Sequence, residues 1–418
     1  MACELPALSA VVARLVNPEI ELAAYGSVIL PIALVIEAPI IMLLAASTAL
    51  SRDRTSYHEL RRFSHRAGAI LTALHLVVAL TPAYDLVAGS WIGAPAEVSE
   101  AARLGLIIMT PWTWAIAYRR FNQGALIRFG HGRAVTIGTV LRMSANISIL
   151  AFGWWSEALP GAVLAATAVA SGVIVEAIYA GLRVRPVLRE ELAHDDPDHE
   201  PLRGRAFWAF YVPLALTPII ALLTQPLAAA SVARMPEALA SLAVAPVVTG
   251  LLFLLQSLGL ALNEVVIAGL EQPQRARDLW RFTLLLATGV GLIIAAMATE
   301  TLARFWFGSV SGLSPELVEL ARTALALGIP VPVMRALQSW YGGVLVHARQ
   351  TRAISEAVVI FLVVAGAVLS VGITTGQVAG VYVASAAFSL GRMAQAVWLW
   401  WRSREAVRNL LDRPAVST

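Results

Sequence analysis

Apolar residues run along this chain in long blocks, broken at intervals by arginines or by Pro and Gly clusters. A helical bilayer crossing takes about 20 apolar residues. On that measure the blocks predict twelve spans, at residues 5–15, 22–50, 67–88, 102–118, 134–154, 159–182, 207–232, 239–270, 282–298, 317–346, 354–371 and 378–401. Runs of this length satisfy their backbone groups in lipid as helices rather than as barrel strands. The expected fold class is therefore an all-α integral membrane protein.

Arginines between the blocks orient the chain. They crowd the even-numbered connections: Arg52, Arg54, Arg61, Arg62 and Arg66 after the second block, Arg119, Arg120, Arg128 and Arg133 after the fourth, and Arg183, Arg185, Arg189, Arg203 and Arg205 after the sixth. The odd-numbered connections hold only Arg14, Arg103, Arg234, Arg304 and Arg322. Both termini are expected in the cytoplasm, with the protein multi-pass in a cell inner membrane. The polar stretch 183–205 reads as a solvated cytoplasmic linker. It contains Asp195, Asp196, Asp198, His199 and Glu200, but nothing nearby completes a metal site.

That linker separates two copies. A shift of 219 positions places Leu60, Arg62 and Phe63 on Leu279, Arg281 and Phe282, Pro111 on Pro330, Gly124 on Gly343, and Arg133 on Arg352. A shift of 220 places Pro6, Arg14 and Leu22 on Pro226, Arg234 and Leu242. The predicted organisation is a six-helix lobe at 1–182, the linker at 183–205, a second lobe at 206–402 and a cytoplasmic tail at 403–418. With six spans each, the lobes enter from the same side, and their pseudo-symmetry axis is expected along the membrane normal. Pro6 has far fewer residues before it than Pro226, so the first helix is expected to be truncated or short.

Composition narrows the function. Of 418 residues, 58% are hydrophobic and 14% charged, and mean hydropathy is +0.72; soluble domains carry about 25% charge. All 31 basic residues are arginine, and the net charge of +4 is too small and too spread for a nucleic-acid face. The single cysteine, Cys3, excludes an internal disulfide. Residues 1–10 lack the features of a cleavable signal peptide. No HExxH, GxSxG or phosphate-loop motif occurs, so no catalytic residue, metal or cofactor is assigned.

Polar residues inside the apolar blocks are the candidates for function, because a charge at the bilayer centre costs about 2.5 to 3.5 kcal/mol on insertion scales. Glu37 lies mid-block beside Pro39, and is either an ion-coupling carboxylate or a partner of Arg142. Arg142 and Asn146 share a helix face. Arg335 with Gln338, and Arg392 with Gln395, repeat that pairing at a spacing of three. Guanidinium beside amide suits carboxylate or phosphate oxygens; the alternative is structural pairing with Glu37, Glu176 and Glu264. Gln225 beside Pro226, and Gln256, which falls on Glu37 under the 219 shift, complete the expected substrate-binding set. His75 and Glu264 join Glu37 as expected ion-coupling groups. For His75 the alternative is an interhelical hydrogen bond, and for Glu264 a snorkelling side chain near Asn263.

The stretch NPEIELAAYGSVILPIALVIEAPIIMLLAASTALSRD at 17–53 resembles the progressive ankylosis family, within the multidrug/oligosaccharidyl-lipid/polysaccharide (MATE-like) exporter superfamily. ALTPAYDLV at 79–87, IMTPWTWAIAYRRFNQGALIRFG at 108–130 and LNEVVIAGL at 262–270 are similar to it as well. The resemblance implies two six-helix lobes around a central cavity, with alternating access by rocking, and animal members are associated with export of pyrophosphate, citrate or nucleotide-type anions. The expected function is thus secondary active export of small anions, coupled to protons or sodium, by a monomer in the lipid bilayer with no nucleic-acid partner. A lipid-linked precursor flippase or a multidrug exporter is the alternative within the superfamily. An intramembrane lipid-modifying enzyme is the alternative from another class.

Overall fold

The computed structural model of the protein describes residues 3–192, 203–270, 275–348, 350 and 352–411. The elements among them are all helical. The acidic cluster at Asp195, Asp196, Asp198, His199 and Glu200 lies outside the described residues.

Helix α1 (Glu4–Val12) is short. The second block is a single 33-residue span, Pro18–Leu50, but it is built in pieces. These are α2 (Pro18–Ala23), a π turn at Ala24–Ile29, α3 (Leu30–Glu37), a 3-10 turn at Ala38–Ile40 and α4 (Leu43–Leu50). Pro31 and Pro39 have no N–H, so each removes a bond from the helical ladder and the pitch changes beside it. Glu37 is therefore the last residue of α3, at the break before Pro39.

Helix α5 (Arg54–Leu80) starts at Asp53, whose carboxylate accepts from the Ser56 N–H at 2.7 Å. A π turn at Asp85–Ile92 follows and ends on Gly93 at φ 75°, a left-handed conformation that glycine adopts without strain. Next come α6 (Ala96–Ile108), α7 (Thr110–Arg128) with Pro111 in its first turn, α8 (Gly132–Ser156), α9 (Gly161–Glu190) and α10 (Gly204–Val232). The remaining helices are α11 (Ala238–Gly269), α12 (Ala276–Met297), α13 (Glu300–Ala303), α14 (Pro315–Gly328), α15 (Pro330–His347), α16 (Arg352–Thr375) and α17 (Gly380–Leu411).

Among the described residues, nine helical stretches are long and apolar enough to cross a membrane, against the twelve spans expected. Three expectations fall short for physical reasons. The α1 helix has nine residues. The fourth block is split at Met109 into α6 and α7, and α7 carries Arg119, Arg120 and Arg128 in its second half. The twelfth, α17, contains Arg392, Arg402, Arg404 and Arg408.

By contact the chain forms two compact units, one from Val11 to Ala230, the other from Ser231 onward together with the described residues of 3–10. The sequence suggests a first lobe ending at residue 182, whereas α10 up to Ala230 packs within the first unit. Tyr211 donates its hydroxyl to the Pro39 carbonyl at 2.8 Å, and the Phe63 ring lies 4.8 Å from the rings of both Phe207 and Tyr211. The first unit's core includes Tyr57, Leu60, Phe121, Ala125, Leu126 and Val184. In the second unit the corresponding core holds Leu262, Val266, Ala287, Ala336, Trp340 and Val344.

Taken separately, the units use the same close approaches 219 positions apart. A Cβ on Gly124 would lie 2.5 Å from the Ser47 Cβ, and one on Gly343 would lie 3.1 Å from the Cβ of Val266, which is Ser47's counterpart. Gly153 backs onto Leu164 as Gly372 backs onto Val383. Gly172 lies against the Arg142 carbonyl as Gly391 lies against that of Phe361. Helix contact at these points depends on the missing Cβ. A methyl at Gly124 would also come within 2.4 Å of the Leu44 carbonyl, which is backbone and cannot rotate away. Gly124→Ala is therefore expected to destabilise the protein by about 1–3 kcal/mol and to lower the Tm. Gly89→Ala, with nothing within 4 Å, should stay within about 0.5 kcal/mol of wild type.

Candidate functional site

Each unit holds arginines among its helices, buried in the first at Arg119 and Arg142 and half-buried in the second at Arg335 and Arg392, and the two differ in how those charges are compensated. In the first unit Glu176, on α9, is fully buried and collects four groups. It forms an ion pair with Arg119 of α7. Gln123 donates to its Oε1 at 2.9 Å, Thr139 of α8 donates to the same oxygen at 3.2 Å, and Arg142 Nε lies 3.5 Å from Oε2. Gly172 and Gly138 leave room for this crossing, since a Cβ on either would press on Asn146 or on Glu176 and Tyr179. Buried charge of this kind is stable only when paired and hydrogen-bonded.

Glu37 is nearby in charge terms but is not part of the pair. Its side chain is 4% exposed, and Oε2 has no hydrogen-bond partner. The charged groups acting on it are Arg120 first and Arg119 second. The expected alternative partner, Arg142, is instead with Glu176. Glu176 is one of the three carboxylates the sequence left open for Arg142, and it lies on the neighbouring helix α9. A correction concerns Arg119 and Arg120, which count as loop arginines in the sequence. They lie inside α7, and Arg119 is 2% exposed.

In the second unit the scaffold is matched but the charges are not. Glu176 and Arg119 fall on Gln395 and Gln338 under the 219 shift, and Arg142 falls on Phe361. The arginines appear one turn earlier, as Arg335 on α15 and Arg392 on α17. Arg392 Nη1 donates to Gln395 Oε1 at 2.9 Å, and its guanidinium sits 4.5 Å from the Phe361 ring centroid, a cation–π contact. Gln338 Nε2 donates to the Arg392 carbonyl at 2.9 Å. Ser339 donates to the Gly259 carbonyl at 2.7 Å, and the absence of a side chain on Gly259 lets the Arg335 stem lie against α11. Arg335 Nε and Gln338 Oε1 are buried without a hydrogen-bond partner. Among the described residues neither arginine is in an ion pair, and the charged group acting on Arg392 is Arg335 itself. Of the structural pairings left open by the sequence, Arg142 with Glu176 is formed among the described residues.

The other candidates are more scattered. Asn146 is buried next to Gly172. Gln256 is half-buried on α11, and Gln225 is exposed on α10. Glu264 is exposed on α11. His75 is fully buried with both ring nitrogens engaged, Nδ1 with the Thr113 hydroxyl at 2.9 Å and Nε2 with the Leu106 carbonyl at 3.0 Å. This is the interhelical arrangement rather than a group open to a passing ion. Gln123 and Thr139 are site residues that the sequence reading misses.

No protein-family model matches the chain, and no curated protein sequence does. Its fold is that of the MATE-type transporters. An inward-facing multidrug-resistance MATE transporter of the MOP superfamily matches it with TM-score 0.71 at 14% identity, over 99% of this chain and 96% of that one. The lipid II flippase MurJ in an inward closed conformation matches with TM-score 0.73 at 12% identity, over 98% and 88%. A MOP superfamily transporter from Pyrococcus furiosus, for which reverse polarity of the binding pocket suggests a different function, matches with TM-score 0.59 at 15% identity, over 99% and 96%.

Proposed function

We propose that this protein is a secondary active exporter of small organic or phosphorylated anions, of the citrate, pyrophosphate or nucleotide class, working by alternating access. The observation that carries the reading is the pair Arg335 and Arg392. Two half-buried guanidiniums without a carboxylate would cost up to roughly 5–7 kcal/mol on insertion scales, and an anion that binds beside them offsets that cost. The amide N–H groups of Gln338 and Gln395 add donors for the remaining oxygens. The first unit carries the contrasting case, in which Arg119 and Arg142 share one carboxylate, Glu176, and Glu37 acts on Arg120, so each of these arginines has an acidic group beside it. Pocket polarity as a marker of function in the Pyrococcus transporter supports reading substrate charge from these residues. The sequence stretches similar to the progressive ankylosis family point to the same anion class. The coupling ion is a proton carried by Glu37, on the strength of its burial and its unpartnered oxygen.

Uptake of labelled citrate, pyrophosphate and nucleotides into proteoliposomes, with and without a pH gradient, tests this. Saturable, gradient-driven anion flux is expected, with cationic drugs and zwitterionic lipids left in place. Movement of a lipid-linked precursor instead would favour the flippase reading, which the likeness to MurJ keeps in view. Glu37→Gln mimics the protonated carboxyl, so proton-driven flux should fall to background while anion binding survives. A stable Glu37→Gln protein with unchanged pH-driven flux would remove Glu37 from the mechanism.

A further inference from the structure

The first unit contains a cavity of 820 Å³ between α5 and α10 that the transport reading does not use. Its lining changes character along its length. At one end are Glu59, Arg62, Arg66 and Arg203; at the other are Ile70 and Leu71. Arg62 and Arg66 are exposed, one turn apart on the same face, and in no ion pair among the described residues. Arg203 is tied to Glu59 at 3.1 Å, so those two cancel. The aromatic wall is a packed set: the ring centroids of Phe63 and Trp208 are 5.6 Å apart and those of Phe207 and Tyr211 are 5.6 Å apart.

We propose that this groove holds one anionic phospholipid, its phosphate on Arg62 and Arg66 and an acyl chain along Phe63, Trp208 and Ile70. Three observations select that occupant. The uncompensated charge at the polar end is positive and doubled, which fits a phosphate. The far end is apolar and open, with Ile70 67% and Trp208 53% exposed, so it fits a hydrocarbon chain and not a soluble anion. The lining on α5 runs from Ser56 to Leu71, about 22 Å at 1.5 Å per residue. That equals one leaflet including its headgroups, half of about 40–45 Å.

Native mass spectrometry of the full-length protein, with added phosphatidylglycerol or phosphatidylcholine of equal chain length, tests the proposal. A basic residue near an anionic headgroup favours it about fivefold, so both arginines together predict about 25-fold preferential retention of phosphatidylglycerol. The Arg62→Gln/Arg66→Gln variant should retain the two lipids equally with an unchanged Tm. Arg62→Lys/Arg66→Lys should keep the preference. Equal retention of both lipids by the wild type would overturn the proposal, as would a preference that survives the glutamine variant. Complete displacement of the lipid by millimolar glycerol phosphate would overturn it too, because the site would then be taking a soluble anion.

Discussion

Replacing both Arg335 and Arg392 with glutamine is expected to abolish anion transport without weakening the fold. A hydrogen bond to a charged group contributes about 1.5–3 kcal/mol, and each 1.4 kcal/mol is a factor of ten in affinity. Each arginine is therefore worth about 10- to 150-fold, and the double variant should bind its substrate about a hundredfold to twenty-thousandfold more weakly. Stability should be equal to or above that of wild type. Neither guanidinium is in an ion pair among the described residues, so no carboxylate is stranded, and the relief of two half-buried charges offsets the loss of the Arg392 contacts to Gln395 and Phe361. Flux and Tm measured on the same preparation check both halves. A protein that unfolds on losing these arginines would show that they hold the helices together.

The opposite response is expected at Glu176. Glu176→Gln leaves Arg119 and Arg142 without the carboxylate they share, and breaking a buried pair in this way costs about 3–5 kcal/mol. The Tm should fall sharply. The second unit suggests the remedy, because at the matching positions it has Gln338, Phe361 and Gln395. Combining Glu176→Gln with Arg119→Gln should recover a good part of the loss, and adding Arg142→Phe should recover more. Such coupling between contacting residues appears as non-additivity in a mutant cycle. If the single and combined variants lose stability additively, the cluster does not act as a unit.

These two responses mark what the sequence could and could not supply. Apolar blocks and the 219-residue offset were legible because lipid demands long helices and because a repeated scaffold repeats its glycines, as Gly124 with Gly343 shows. Glu37, Arg335, Gln338, Arg392 and Gln395 stood out as polar groups in apolar surroundings. Which arginines are compensated was not legible, since that depends on a carboxylate one or two helices further along the chain. Arg119 was hidden for a different reason: Tyr118 to Gly124 is a polar run, and polarity alone reads as a connection when the helix continues to Arg128. A signal was nonetheless present. Arg119 and Glu176 change together to Gln338 and Gln395 between the repeats, as an ion pair replaced by an amide pair would.

On the proposed function, the uncompensated pair Arg335 and Arg392 makes this MATE-type fold anion-selective, and equilibrium titration of the purified protein tests that directly. Citrate, pyrophosphate and a nucleotide are each titrated against wild type and the Arg335→Gln/Arg392→Gln variant, with a lipophilic cation as comparison. The account predicts saturable binding of at least one anion to wild type, loss of that binding in the variant, and no binding of the cation. Saturable cation binding with no anion bound, or anion binding unchanged in the variant, would contradict it.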